Sequence, residues 1–153
     1  MAETLRPRIL IVESYGSNAK SILSHLAASP IPLHVVSVGD AEAAITLTQN
    51  EDFDLAIIDT CLRGKMDGFD LCRALRSSEA TQRLPVILLL AGYLFLERAR
   101  GISAGADLLL HRPVVKGELL RMIQLLLAEK LAQAATIQPA AENHTERRLR
   151  SVS

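Results

Sequence analysis

The strongest constraint on the fold is a regular alternation of strand-like and helix-like segments along the chain. Short runs rich in Val, Ile and Leu are separated by segments with apolar residues at helical spacing. The predicted strands cover residues 8–12, 33–38, 54–59, 85–91 and 106–111. The predicted helices cover residues 17–29, 41–50, 68–78, 94–105 and 115–135. Strand and helix pairs in this order predict an α/β fold with a parallel sheet covered on both faces.

The connections between these segments narrow the topology. Right-handed crossovers and a short first connection favour a doubly wound, flavodoxin-like sheet of five strands in the order 2-1-3-4-5, with five helices. Asp40 is placed to cap the start of the second helix, and Gly105 the end of the fourth. We expect an N-terminal tail at residues 1–7, one domain at residues 8–133, and a flexible tail or linker at residues 134–153.

Composition argues against several classes of protein. Hydrophobic residues make up 49% of the 153 residues, which is enough for one aliphatic core, and Lys+Arg equal Asp+Glu at 17 each. The absence of a basic excess argues against direct nucleic-acid binding. No run is apolar and long enough to span a bilayer, and the polar N-terminus does not resemble a signal peptide. Cys61 and Cys72 lack metal-ligand spacing, so we expect a cytoplasmic protein with reduced thiols and no membrane partner.

Polar residues follow the predicted strands where a site is expected. Glu13 and Ser14 follow the first strand, Asp59 ends the third, and Arg112 follows the fifth. In open parallel sheets, ligands bind beyond the carboxyl ends of the strands, at the point where the strand order reverses. Carboxylates are suited to magnesium, and an aspartate can act as a nucleophile. The same residues could instead be polar strand ends with Arg112 paired to one carboxylate, and the spacing leaves both interpretations open.

Segments in all parts of the predicted domain match one family pattern. They are "ILIVES", "DLAIID", "MDGFDLCRALR", "LPVILLLA" and "GADLLLHRPV". In this order they resemble the receiver domain (CheY-like) of two-component response regulators, over residues 8–133. The resemblance implies a signalling module rather than an enzyme, with a sensor histidine kinase or another signalling protein as its partner. It also implies that Asp59 accepts a phosphoryl group, and that Mg2+ is held by Glu13, Asp59 and the backbone carbonyl of Cys61.

Several residues depart from the pattern of that family. Ser14 stands where a second carboxylate is usual, which should weaken Mg2+ binding. Leu90, followed by Ala91, replaces a Ser or Thr whose hydroxyl contacts the phosphoryl group. Leu109 replaces the aromatic residue that moves on activation, and Arg112 replaces a lysine. These departures predict an atypical receiver, or pseudo-receiver, in which Mg2+ is weakly bound or absent and phosphorylation is slow or absent.

The fourth and fifth predicted helices carry more apolar residues than one buried stripe requires. We interpret the excess as a surface for a partner or a homodimer, formed by the fourth helix, fifth strand and fifth helix. The candidate interface residues are Tyr93, Phe95, Leu119, Met122, Ile123 and Leu126. The alternative is that these residues belong to the core.

Two other functions remain open from the sequence. One is a conventional phosphoacceptor receiver, either a single-domain shuttle or the input half of a larger regulator. The other is a flavodoxin-like binder of a small ligand, which is disfavoured because no Gly-rich phosphate loop follows the first strand.

Overall fold

The structure, a computed structural model, describes residues 6–14, 17–92 and 94–150, with side chains at 6–14, 22–92 and 94–133. The strands are β1 (Arg8–Val12), β2 (His34–Val38), β3 (Leu55–Asp59), β4 (Val86–Leu90) and β5 (Leu108–His111). The helices are α1 (Ser17–Ala27), α2 (Ala41–Asn50), α3 (Gly68–Arg76), α4 (Phe95–Ser103) and α5 (Lys116–Arg150). All strand pairs are parallel and the order is β2-β1-β3-β4-β5, which confirms the predicted fold.

Both faces of the sheet are buried, because successive side chains of a strand point to opposite sides. In β4, Leu88 and Leu90 belong to a core with residues of α2 and α3. Ile87 and Leu89 belong to a second core with residues of α1 and α5. Every residue of β3 and β4 is buried, which explains why these strands read as continuous apolar runs.

The helix ends follow the capping residues read from the sequence. Asp40 Oδ1 accepts a hydrogen bond from the Ala43 N–H at 2.7 Å, so the predicted N-cap of α2 is confirmed. After α4, Gly105 has φ +91°, in the left-handed region that favours glycine at a helix end.

Helix α5 is longer than the sequence predicts. It runs to Arg150, whereas the apolar periodicity indicates a helix over 115–135. The residues that follow include good helix formers such as Ala140 and Ala141 but also Pro139, which disfavours a helix interior, so local propensity does not account for the extension. The division into a domain at 8–133 and a tail at 134–153 stays a prediction. None of the described helices is both long enough and apolar enough to cross a membrane.

The amino ends of β4 and β5 are joined to α3 by Arg76. Its Nη1 donates to the Leu84 carbonyl at 2.6 Å, and its Nε donates to the Gly105 carbonyl at 2.9 Å. Its Nη2 lies 2.8 Å from Asp107 Oδ2, which also accepts the Val86 N–H at 2.7 Å. One guanidinium therefore satisfies backbone groups from two loops and one carboxylate.

A second set of contacts holds the amino end of β3. Asp54 Oδ1 lies 2.8 Å from Lys130 Nζ, and its Oδ2 accepts the Arg8 N–H at 2.8 Å. Burial alone would raise the pKa of Asp54, but the hydrogen bonds from Lys130 and Arg8 outweigh it and lower the pKa. Arg8, Asp54, Lys130, Arg76 and Asp107 lie near the amino ends of the strands, at the base of the sheet, and are together called the base network below.

Candidate functional site

Three charged side chains meet at the carboxyl ends of the strands. Asp59 is the last residue of β3, Glu13 follows β1, and Arg112 follows β5. Arg112 Nη2 lies 2.7 Å from Asp59 Oδ2 and 3.5 Å from Glu13 Oε1. The exposed fractions of the side chains are 6% for Asp59, 1% for Glu13 and 18% for Arg112. The structure thus brings together two predicted carboxylates and the predicted guanidinium at the strand-order switch point.

Both carboxylate oxygens of Asp59 are hydrogen bonded or ion paired. Oδ1 accepts the Cys61 N–H at 2.8 Å, two residues along the loop. Oδ2 is the atom paired with Arg112. Because the pair is largely buried, its attraction is screened less by water and salt than that of a surface pair.

Glu13 is the less satisfied of the two acids. Its Oε1 makes the long contact with Arg112, and its Oε2 is buried with no hydrogen-bond partner among the described residues. Burial raises the pKa of Glu13 by disfavouring the charged form. Arg112 opposes this change, and the nearby negative charge of Asp59 adds to it.

Ser14 has a structural contact in the site. Its hydroxyl oxygen accepts the Arg63 N–H at 2.9 Å, which links the loop after β1 to the loop after β3. A hydroxyl at this position brings no negative charge. The described residues contain no group of three or more His, Cys, Asp or Glu side chains that could hold a metal ion.

Gly68 brings α3 close to the end of β3. Its N–H donates to the Thr60 carbonyl at 3.1 Å. A Cβ atom on Gly68 would lie 2.6 Å from the Thr60 Cα and would also collide with the Asp59 carbonyl oxygen. The end of β3 and the first turn of α3 can pack this closely because residue 68 has no side chain. The glycine of the "MDG" segment is the sequence feature that permits this packing, but the close contact itself cannot be read from a sequence.

The predicted switch positions are apolar and lie on one face of the sheet. Leu90 is fully buried in the core with α2 and α3, and Leu109 is partly buried against the same core. Leu109 also packs tightly on α4, since a Cβ on Gly101 would lie 2.6 Å from its Cδ2. Ala91, the next residue after β4, is exposed.

A set of contacts that sequence reasoning missed holds the loop after β4. The Gly92 carbonyl lies 2.8 Å from His111 Nδ1, and the Gly92 N–H donates to Glu97 Oε2 at 3.2 Å. His111 Nε2 in turn lies 2.9 Å from Arg98 Nη1. The two ring nitrogens of His111 therefore join the loop, β5 and α4.

The family assignment agrees with this arrangement. A family model described as "Response regulator receiver domain" matches residues 9–124. The chain belongs to this family. Receiver domains are signalling modules, so the predicted family and the predicted two-component role are both confirmed.

Relatives and solved structures give the same result. The phosphate regulon transcriptional regulatory protein PhoB of Rhizobium meliloti (strain 1021) is 35% identical over 121 residues, covering 79% of this chain and 52% of the relative. The chain spans about half or less of the length of the curated relatives that it matches.

Two solved receiver domains are close in structure. The signal receiver domain of an HD domain-containing protein from Pseudomonas fluorescens Pf-5 has a TM-score of 0.74 and 26% identity, covering 84% of this chain and 99% of that one. The receiver domain of a sensor histidine kinase from Pseudomonas aeruginosa PAO1 has a TM-score of 0.73 and 27% identity, covering 81% and 99%. That structure has a magnesium ion coordinated in the active-site cleft.

The donor set of this receiver domain does not fit a magnesium site built on three carboxylates. Glu13 and Asp59 supply two, and Ser14 takes the place of the third. Both Asp59 oxygens and one Glu13 oxygen face Arg112 or the Cys61 N–H. The Cys61 side chain is exposed, and the role of its carbonyl as a ligand stays a prediction.

The predicted interface of the receiver domain needs correction. Leu119, Ile123 and Leu126 are 0%, 1% and 5% exposed and pack in the core with α1, so their assignment to a docking surface was wrong. Helix α5 packs on the sheet through these residues, and its exposed apolar residues are instead Leu125 and Leu131. Met122 is partly buried, whereas Phe95 is 81% exposed. Tyr93 lies outside the described residues.

Proposed function

We propose that this receiver domain is an atypical one that transmits its signal by protein contact, with slow or absent phosphorylation of Asp59. The observation that carries the proposal is the end of β4, where Leu90 is fully buried. Leucine has no hydroxyl with which to bind a phosphoryl oxygen, and Leu109 has no polar atom to expose when the adjacent loop moves. A phosphoryl group on Asp59 would therefore lack the usual hydrogen-bonding partner on β4.

The contacts of Asp59 also support slow phosphorylation. In phosphoryl transfer, a carboxylate oxygen forms a bond to phosphorus while the bond from phosphorus to the donor breaks. One oxygen of Asp59 is held by the Cys61 N–H and the other by Arg112. Each contact occupies a lone pair of the oxygen involved, and the positive charge of Arg112 reduces the nucleophilicity of the oxygen it holds. Magnesium binding that is weak or absent is part of the same proposal.

The test is labelling with a small phosphodonor. The protein is incubated with acetyl phosphate and MgCl2, and the phosphoryl mass increment is followed by intact-mass spectrometry. We expect little or no increment over a period in which a conventional receiver domain labels fully. Any increment should vanish in Asp59→Asn and persist in Asp52→Asn, an exposed aspartate near the opposite end of the sheet.

A gain-of-function variant makes this test informative in both directions. Ser14→Asp with Leu90→Thr restores a third carboxylate and a hydroxyl, and should label faster than the unmodified protein. Fast, stoichiometric labelling of the unmodified protein would contradict the proposal. So would tight binding of beryllofluoride, a phosphoryl mimic, at millimolar Mg2+.

The second candidate function is a conventional phosphoacceptor. It is favoured by the convergence of Asp59, Glu13 and Arg112 within contact distance. The labelling rate separates it from the first candidate. A flavodoxin-like binder would instead carry a flavin or nucleotide, visible in the absorption spectrum of the purified protein.

We further propose a cytoplasmic role with a sensor histidine kinase or another signalling protein as partner, homodimerisation through the α4–β5–α5 face, and no direct nucleic-acid binding. The start of α4 supports this surface, because Leu94, Phe95 and Leu96 are 68%, 81% and 73% exposed. Apolar residues grouped in this way usually mark an interface.

Light scattering at increasing protein concentration tests the dimer. Phe95→Glu should shift the protein to the monomer, whereas Leu23→Glu, at a 40% exposed residue of α1 and so outside the proposed face, should not. A strict monomer at high concentration would contradict the homodimer.

A further inference from the structure

The site contains two buried acids and one nearby cation. As whole residues, Glu13 and Asp59 are 3% and 4% exposed, and buried carboxylates are costly unless a positive charge or hydrogen bonds compensate them. Among the described residues, the ion pairs of both acids are made with Arg112. The same nitrogen, Nη2, faces both carboxylates. Arg112 is therefore placed between them rather than beside one of them.

The Arg112 guanidinium lies where one positive charge interacts with both carboxylates. It lies at 2.7 Å from one acid and 3.5 Å from the other. A divalent cation shared by the same two carboxylates would lie beside this positive group and be repelled by it. Ser14 offers no third negative charge to offset that repulsion.

We propose that Arg112 is the resident cation of this site and takes the place of a bound divalent metal ion. Its guanidinium faces both Asp59 and Glu13 and offsets one of their two negative charges, so the site forms without Mg2+ and excludes it. Arginine is suited to this role because its guanidinium stays charged, is more weakly hydrated than a lysine ammonium, and presents one nitrogen, Nη2, to an oxygen of each acid. The inference deepens the proposed function, on which it rests, by naming the group that makes metal binding weak.

The experiment compares metal binding by the unmodified 153-residue chain with that by Arg112→Ala. MgCl2 is titrated at constant ionic strength and the melting temperature is measured. In parallel, MnCl2 is titrated, and paramagnetic broadening of the Glu13 and Cys61 amide resonances is followed. The unmodified protein should show neither a change in melting temperature nor broadening at low millimolar metal.

Arg112→Ala should melt at a lower temperature in EDTA and recover as Mg2+ is added, because the metal replaces the lost cation. Its affinity for Mn2+ should exceed that of the unmodified protein by about tenfold or more. Adding Glu13→Gln to this variant should abolish the gain. Arg100→Ala removes an exposed contact with Asp67 outside the site and should bind metal no better than the unmodified protein.

The inference is wrong if the unmodified protein binds metal as tightly as Arg112→Ala does, or if removing Arg112 does not increase the affinity for Mg2+ and Mn2+. Should Arg112→Ala not fold, Arg112→Lys provides the test, and its metal affinity should again exceed that of the unmodified protein. Phosphoryl labelling separates this outcome from the proposed function. Fast labelling of the unmodified protein would contradict the proposal that Asp59 is phosphorylated slowly. Tight metal binding by the unmodified protein together with slow labelling would contradict only the proposal that Arg112 is the resident cation.

Discussion

The two ends of the sheet use charged residues in different ways. In the base network, Arg76 is hydrogen bonded to carbonyls and paired with Asp107, and both oxygens of Asp54 are hydrogen bonded. At the carboxyl end, one guanidinium serves two acids, and Glu13 Oε2 is buried with no hydrogen-bond partner among the described residues.

This difference shows which end is organised for stability. Buried polar groups in proteins are nearly always hydrogen bonded, so a group that is not satisfied marks a place where stability has not been maximised. The base network holds α3, α5 and the strands together. The opposite end keeps an incompletely satisfied acid beside the expected acceptor aspartate.

The largest effect should come from breaking the base network. Arg76→Ala removes contacts to the Leu84 and Gly105 carbonyls and leaves Asp107 without its cation. We expect a loss of about 3 kcal/mol in the free energy of unfolding, measured by urea denaturation. Arg83→Ala, an exposed control, should change stability by less than about 0.5 kcal/mol. Equal losses in the two variants would contradict the assigned role of the network.

A somewhat smaller effect is expected from overpacking at the carboxyl end. Gly68→Ala places a methyl group against the Asp59 carbonyl and Thr60, so the loop or α3 must shift, at a cost of about 2 kcal/mol. Gly117→Ala is the matched control, because a Cβ there meets nothing within 4 Å and alanine favours the helix. Thermal unfolding should show opposite changes in melting temperature, and a neutral Gly68→Ala would show that the contact relaxes freely.

A change in pH should change the stability contributed by the two ends of the sheet in opposite directions. The pKa of Asp54 is lowered from 3.8, so its stabilisation is present above that pH and is lost as the pH falls below it. The pKa of Glu13 is raised from 4.5, so its contribution is favourable below that pH and is lost as the pH rises above it.

Urea unfolding in EDTA between pH 3 and 7 measures both effects. The stability advantage of the unmodified protein over Asp54→Asn should shrink toward pH 3. Relative to Glu13→Gln, the unmodified protein should lose stability as the pH rises above 4.5. Parallel pH profiles for the two variants would contradict the contrast between the ends.

The smallest effect is expected at an exposed contact near the site. Arg100 pairs with Asp67 at 3.3 Å and lies over the Phe69 ring at 4.2 Å. Because the pair is solvent exposed, Arg100→Ala should cost about 0.5 kcal/mol in urea unfolding, and less in high salt. A loss comparable to that of Arg76→Ala would mean that the carboxyl end is as rigidly held as the base.

The fold could be predicted because strand and helix periods are local properties of the sequence. The approximate positions of Glu13, Asp59 and Arg112 followed, since parallel strands bring their carboxyl ends to one edge. What the sequence did not reveal depends on distant segments coming together. The contact of His111 with Gly92 is of this kind, and the close approach of Gly68 to β3 depends on how the loop between them folds.

The error at Leu119, Ile123 and Leu126 has the same origin. Periodicity shows which helix residues are apolar, but the width of the face that the sheet covers depends on how the helix lies across it. The structure places these residues in the core with α1, and the exposed apolar residues are instead found at the start of α4 and at Leu125 and Leu131 of α5.

The two-sided sheet also separates the helices into two groups with different neighbours. Leu90 and Leu109 pack on the face shared with α2, α3 and α4, whereas α5 is anchored on the other face through residues such as Leu119. The end of β4 is therefore linked to α4 by contacts on one face of the sheet, through Gly92 with Glu97 and through Leu109 with Gly101. The buried side of α5 lies on the opposite face of the sheet, whose strands β3 and β4 are buried at every residue. The sheet thus separates the two groups of helices, and α4 contacts both the loop after β4 and strand β5.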